Sequence, residues 1–194
     1  MKTDLVLAGV GGQGILSIAA TIGMAALENN LFLKQAEVHG MSQRGGAVQS
    51  NMRISDKEIA SDLIPKGEAD IILSVEPMEA LRYIPYLSKN GWIVTNSTPF
   101  ININDYPEIS DIIKTIKSQK KYIIIDADKI ASDLGSKRSS NIVVLGAATP
   151  FINIPYDCFE AGIRKIFERK GEDIVQANIN ALRAGKEFTM KNKS

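Results

Sequence analysis

Ten residues, Glu37-Val38-His39-Gly40-Met41-Ser42-Gln43-Arg44-Gly45-Gly46, gather the side chains of this chain best suited to chemistry. They include the only histidine of the sequence, beside an arginine, a glutamate, a serine and a glutamine, all spaced by glycines. An imidazole in such a loop can give or take a proton near neutral pH. A guanidinium can fork onto a carboxylate or phosphate. Glycines let backbone N–H groups come close to an anion. Taken singly, His39 reads as a turn histidine held by a backbone hydrogen bond and Arg44 as a surface ion pair. Their clustering marks the loop as functional. Ser42 and His39 are not accompanied by a Ser–His–Asp order or a hydrolase elbow, so acyl transfer has no support.

A second feature lies upstream. Gly9-Val10-Gly11-Gly12-Gln13-Gly14 fits G-x-G-x-x-G at Gly9, Gly11 and Gly14, and it follows an apolar strand and opens a helix. Such a turn lets a pyrophosphate approach the backbone at the positive end of the helix. The acidic residue expected about twenty positions later for a ribose has a candidate in Glu37. The alternative is purely structural, with glycines that permit tight turning and close strand–helix packing. The motif leaves both open. Gln13 on the turn would project its amide toward whatever lies over the strand ends.

The elements that must position these residues alternate. Strands are expected at Leu5–Val10, Leu31–Glu37, Ala47–Ile54, Asp70–Val75, Trp92–Thr95 and Tyr122–Asp126. Between them helices are expected at Ile15–Glu28, Glu76–Leu87, Ile109–Ser118 and Ala127–Leu134. In Ala47–Ile54, Val48, Ser50 and Met52 alternate with Gln49, Asn51 and Arg53, which suggests one partly wet face. The pattern predicts an α/β, Rossmann-like, mostly parallel sheet with helices on both faces. Asn141–Ala148 is apolar up to Pro150. Two helices then form a C-terminal extension over about 156–189, split at Gly171. Phe159, Ile163, Ile166 and Phe167 share one face of the first, and Ile174, Ala177, Asn178, Ala181 and Leu182 one face of the second. Both could pack back on the sheet or dock on a partner, and packing on the sheet is the expectation.

The chain has 194 residues and a formal net charge of +1. That length suits one domain, 1–194, with a core large enough to need no staples. The balanced charge argues against a nucleic-acid binder. Cys158 is the only cysteine, so no internal disulfide exists and a reducing compartment is expected. One cysteine and one histidine cannot build a zinc site or a four-cysteine cluster. Cys158 reads as a buried helix residue rather than a nucleophile. The N-terminal apolar run is too short for a signal peptide and no stretch reaches membrane-span length. The cytoplasm is the expected location, with no membrane association.

Four segments carry a resemblance: Gly9–Gly14, Glu37–Gly46, Pro65-Lys-Gly-Glu-Ala-Asp70 and Glu76-Pro-Met-Glu-Ala-Leu-Arg-Tyr83. Together they resemble the gamma-type domain of 2-oxoacid:ferredoxin oxidoreductases, and within that family the beta subunit of indolepyruvate ferredoxin oxidoreductase most. Val38-His39-Gly40-Met41 stands where pyruvate-type gamma subunits typically carry a tyrosine-containing loop. The resemblance covers nearly the whole chain and is strongest from residue 5 to about 98. It implies oxidative decarboxylation of a 2-oxoacid, with an aryl pyruvate following from the subfamily. Thiamine diphosphate, Mg and [4Fe-4S] clusters would sit in a larger alpha-type partner subunit. Coenzyme A would be the cosubstrate and ferredoxin the electron acceptor. This chain alone would hold no cofactor, metal or catalytic residue, and would be inactive when isolated. The residues expected to face ligand or partner are Gly11, Gly12, Gln13, Gly14, Glu37, His39, Ser42, Gln43 and Arg44. Among them Gln13 and Arg44 would make polar contacts, and Glu37 and His39 would order the loop. The isolated chain can self-associate through a surface meant for the partner. Two other readings stand beside this one: a self-contained dinucleotide-binding oxidoreductase, and a Rossmann-like interaction module without chemistry. On the subunit reading, Arg44→Ala lowers turnover of the assembled enzyme well below wild type and leaves the isolated subunit folded. Equal turnover in the purified complex removes Arg44 from the site.

Overall fold

The computed structural model describes residues 1–40 and 45–193, His39 by its backbone only. Among the described residues six strands form one sheet: β1 (Lys2–Val10), β2 (Phe32–His39), β3 (Ala47–Ser55), β4 (Ala69–Ser74), β5 (Leu87–Asn96) and β6 (Tyr122–Ile125). Their spatial order is β2-β3-β1-β4-β5-β6. The pairs β1–β4, β4–β5 and β5–β6 are parallel, whereas β3 runs antiparallel to both β1 and β2. The expected mostly parallel α/β sheet is therefore present, with one strand reversed inside it. Alternation along β3 identifies a strand but not its direction, because side chains alternate in both kinds of ladder.

Seven α-helices lie among the described residues: α1 (Ile15–Glu28), α2 (Pro77–Arg82), α3 (Ile109–Lys117), α4 (Ala127–Asp133), α5 (Ser140–Ala148), α6 (Tyr156–Phe167) and α7 (Glu172–Asn192). Period-two alternation in β1 sends Leu5 and Leu7 to one face and Val6 and Ala8 to the other. The first face is covered by α1, α4, α5, α6 and α7, the second by α2 and α3. All four residues are fully buried, as suits a strand inside an α/β sandwich.

Two expectations shift. The helix expected over 76–87 stops at Arg82, and β5 already begins at Leu87. Pro85 sits in the short 3-10 turn between them, where a missing N–H costs no helical bond. Gly91 lies inside β5, where a Cβ would stand 2.8 Å from the Ala69 carbonyl oxygen, so only glycine fits. The apolar segment 141–148 is a helix, α5, with Ile142 to Ala148 all buried. A helix buried on nearly every side shows no amphipathic period.

The C-terminal helices pack back on the sheet, as expected. Phe159, Ile163, Phe167, Val175, Ile179 and Leu182 all join the core of the first face. Each such side chain contributes about 1.5–3 kcal/mol by leaving water. Ile174 departs from the expected face of α7 and is 43 % exposed. The crossing of α5 and α7 is close enough to exclude side chains. A Cβ on Gly146 would lie 2.1 Å from the Leu182 oxygen, and one on Gly185 2.0 Å from the Val143 oxygen. Gly185→Ala is therefore expected to cost about 3 kcal/mol through overpacking, despite the roughly 1 kcal/mol that alanine gains in a helix interior. Gly23→Ala in α1 meets only the flexible end of Leu33, at 3.2 Å, and should be near neutral. Urea midpoints of the two variants check the contrast, and equal midpoints would refute it.

Candidate functional site

The site is built at the carboxyl ends of the parallel strands, where open α/β sheets place their crevices. After Val10 the chain turns through Gly11–Gly14 into α1. Gly12 and Gly14 have φ of 100° and 83°, a region that only glycine enters without strain. Gly9 is needed for space, since a Cβ there would lie 2.5 Å from Val75 Cγ2. Gln13 folds back on this turn: the Val10 N–H donates to Gln13 Oε1 at 2.8 Å. That corrects the expected outward amide. Its oxygen is used inside the turn, and its amide nitrogen is the end left to donate.

The glycine turn and the polar loop meet. The Gly11 N–H donates to the Gly46 carbonyl at 2.8 Å, and the Gly45 N–H to the Gly11 carbonyl at 3.3 Å. The base of the loop is closed by the Gly40 N–H on the Ala47 carbonyl at 3.1 Å. His39 ends β2 opposite Val48. Ser42, Gln43 and Arg44, and the side chain of His39, lie outside the described residues.

Glu37 lies further down the β2–β3 ladder. It pairs with Ser50 in the β2–β3 ladder and accepts a hydrogen bond from Gln35 Nε2 at 3.3 Å. Through Ser50 it is level with Leu7, not with the turn. With β3 interposed, Glu37 stands two strand spacings, roughly 9–10 Å, from β1. In dinucleotide folds the second strand borders the first. Of the two readings that the motif leaves open, this arrangement favours the structural one, with Gly9, Gly12 and Gly14 accounted for by packing and backbone conformation.

Several residues that shape the site carry no local signal in the sequence. Asn141, the second residue of α5, donates from Nδ2 to the Gly14 carbonyl at 3.0 Å. A Cβ on Gly14 would lie 2.4 Å from the same nitrogen. Asn102 donates to the Gly45 carbonyl at 2.6 Å. Asn96, at the end of β5, donates to Asp128 Oδ2 at 2.9 Å and accepts from the Ala127 N–H at 3.1 Å. Glu76, expected as the first residue of a helix, stands just before it, with Pro77 at the first helical position. Its side chain is the N-cap of α2, accepting from the Glu79 N–H at 2.8 Å. The same fully buried carboxylate accepts from the Phe100 N–H at 3.3 Å and the Tyr106 hydroxyl at 2.5 Å. Burial, and then the bond to Glu76, push the Tyr106 phenol well above its ordinary pKa. The segment from Phe100 to Tyr106 is thereby held at both ends, while Phe100, Ile101 and Ile103 stay 42, 71 and 48 % exposed.

A crevice of about 300 Å³ lies between these pieces, lined by Gln13, Asn96, Thr98, Asp128, Ser140 and Asn141 among others. Its amides, hydroxyls and single carboxylate suit binding and the holding of a surface in shape. Among the described residues, no group of three His, Cys, Asp or Glu is placed to hold a metal ion. Cys158 is half-buried in α6, and burial raises its thiol pKa, the opposite of an activated thiolate. None of the described helices is long and apolar enough to cross a membrane.

Comparison with known proteins agrees with this architecture. A family model described as pyruvate ferredoxin/flavodoxin oxidoreductase matches residues 4–188. The indolepyruvate oxidoreductase subunit IorB of Archaeoglobus fulgidus is 36 % identical over 194 residues, spanning 95 % of this chain and 94 % of that protein. A keto/oxoacid ferredoxin oxidoreductase gamma subunit from Geobacter sulfurreducens shares the fold at a TM-score of 0.73 and 22 % identity, over 97 % of this chain and 99 % of that one. The 2-oxoglutarate:ferredoxin oxidoreductase of Magnetococcus marinus, solved with 2-oxoglutarate, coenzyme A and succinyl-CoA bound, superposes at a TM-score of 0.79 and 20 % identity. It covers 98 % of this chain, which in turn spans only 31 % of that longer polypeptide. With a family match over nearly its whole length and a full-length relative more than 30 % identical, the chain belongs to the pyruvate ferredoxin/flavodoxin oxidoreductase family.

Proposed function

We propose that this chain, acting as one domain, is the gamma-type subunit of a 2-oxoacid:ferredoxin oxidoreductase whose substrate is an aryl pyruvate such as indolepyruvate. The observation that carries the reading is the 36 % identity to an indolepyruvate oxidoreductase subunit along essentially the full length of both chains. The complex works in the cytoplasm. It oxidatively decarboxylates the 2-oxoacid, passes the acyl group to coenzyme A and the electrons to ferredoxin.

The residues of this chain do not fit the cofactors of that reaction. One cysteine and one histidine cannot ligate a [4Fe-4S] cluster. The clusters would sit in a larger alpha-type subunit, together with thiamine diphosphate and its Mg as the family resemblance implies, and that subunit would supply the decarboxylation and electron-transfer chemistry. What this chain supplies is a shaped surface. The glycine turn, the loop stems at Gly40 and Gly45–Gly46, and the segment from Phe100 to Ile103 form one carboxyl edge. Exposed large apolar side chains beside such a polar edge are what a partner subunit covers. Arg44, Ser42 and Gln43 would complete the contact from the loop, with His39 at its stem.

The test is anaerobic co-purification of this chain with the cluster-bearing subunit, followed by indolepyruvate- and coenzyme-A-dependent viologen reduction. The pair is expected to elute together and to be active. A chain that elutes alone, without activity, overturns the reading and returns weight to a self-contained nucleotide-binding protein. Ile101→Asp is expected to weaken assembly at least about tenfold, the scale of a buried interface residue. The melting temperature of the isolated chain should stay within a few degrees, because Ile101 is already in water.

A further inference from the structure

A cavity of about 850 Å³ opens beside the glycine turn. Its wall carries Lys137, Arg138 and Lys170 and not one aspartate or glutamate. In a chain with 23 basic and 22 acidic residues, that segregation of sign is a local feature. Elsewhere Arg53, Arg82, Arg164 and Arg183 are each paired with a carboxylate at 2.7–3.1 Å. The three cations at the cavity have no such partner among the described residues.

The helices repeat the pattern. Helices α2, α3, α4, α6 and α7 each carry an acidic residue in the first turn. Among the described helices α1 and α5 alone have none, and neither has a side-chain cap among the described residues. Both N-termini line this cavity, through Gly14 and Ser17 from α1 and Ser139 and Ser140 from α5. Two uncapped positive helix ends and three cations converge on one space. Phe167, Ile174 and Ala177 add apolar lining, with Lys170 Nζ 5.2 Å above the Phe167 ring, and this lining accounts for the exposed Ile174.

We propose that this cavity is a binding site for a phosphate ester with an apolar body, its phosphates held between the N-termini of α1 and α5 by Lys137, Arg138 and Lys170, and its body against Phe167, Ile174 and Ala177. The volume is that of a nucleotide-sized ligand site. The assignment rests on this chain's own side chains and stands apart from the subunit reading.

Calorimetric titration of the full chain at low ionic strength with pyrophosphate, ADP and coenzyme A tests it. ADP should bind more tightly than pyrophosphate, because only ADP carries a body for the apolar wall. Coenzyme A against ADP then distinguishes the complex's cosubstrate from a free nucleotide as the source of the phosphates. The double variant Lys137→Gln/Arg138→Gln should weaken binding at least tenfold. Lys114→Gln/Lys117→Gln, which removes equal charge from α3 on the other face, should leave it unchanged. Ser140→Asp puts a carboxylate into the first turn of α5, and should abolish binding without lowering the melting temperature. Absence of binding by all three probes overturns the proposal. So does binding that is equal in the two double variants or that survives Ser140→Asp.

Discussion

The reversed strand β3, wedged between β1 and β2, is the constraint on which the site depends. Its register against β1 is pinned by a buried charge. Asp4 is fully buried and sits directly opposite Arg53, whose guanidinium forks onto it at 2.9 and 3.2 Å. Removing one partner of such a pair costs about 3–5 kcal/mol. A slip by one residue would also turn Val48, Met52 and Ile54 out of the core. From Asp4 opposite Arg53 the ladder runs to Val10 opposite Ala47. Gly11 must then meet Gly46, and the loop stem at Gly45–Gly46 must lie beside the glycine turn. The junction of the two motifs follows from an ion pair at the other end of the strand.

The same edge is completed by chain segments remote in sequence. Glu76 reaches Tyr106, and Asn141 reaches Gly14 across almost the whole domain. A buried carboxylate is tolerable only when its oxygens are hydrogen-bonded, and Glu76 meets that demand by tying α2 to the segment that follows β5. That segment can present Phe100, Ile101 and Ile103 to solvent because its backbone and Tyr106 are anchored behind them. The close crossing of α5 and α7 has a matching role on the other face. Gly146 and Gly185 let the two backbones touch, which sets where the N-terminus of α5 comes to rest.

Local pattern made most of the elements legible. Alternation in β3, the apolar run of β1, the amphipathic period of α6 and the glycine before α7 each rest on residues near one another, and each was read close to its true bounds. The two motifs were legible for the same reason. What could not be read depends on contacts across the chain. Nothing around Val48, Ser50 and Met52 fixes strand direction, so the displacement of Glu37 from the turn was invisible. Nothing in the apolar stretch at 142–148 separates a buried helix from a buried strand. Gln13 looked outward because its sequence neighbours do not reveal that its oxygen closes on Val10. Asn141 sits in an apolar context, and only the packing of α5 on Gly14 gives it meaning.

These misreadings share one cause and lead to one conclusion about the glycine turn. The motif is that of a dinucleotide fold, but two features of such a fold have been displaced. β3 has moved the second strand, and with it the acidic residue, away from the turn. Asn141 occupies the space over Gly14 where a side chain or ligand would otherwise approach. The N-terminus of α1 keeps its positive end, and it now shares the cavity at Lys137 and Arg138 with the N-terminus of α5. Two positive helix ends facing one space repel unless negative charge or water lies between them, and neither helix brings a carboxylate of its own. The fold has thus turned a turn-centred site into a cavity between helices, and left a turn whose glycines serve packing against Val75 and Asn141.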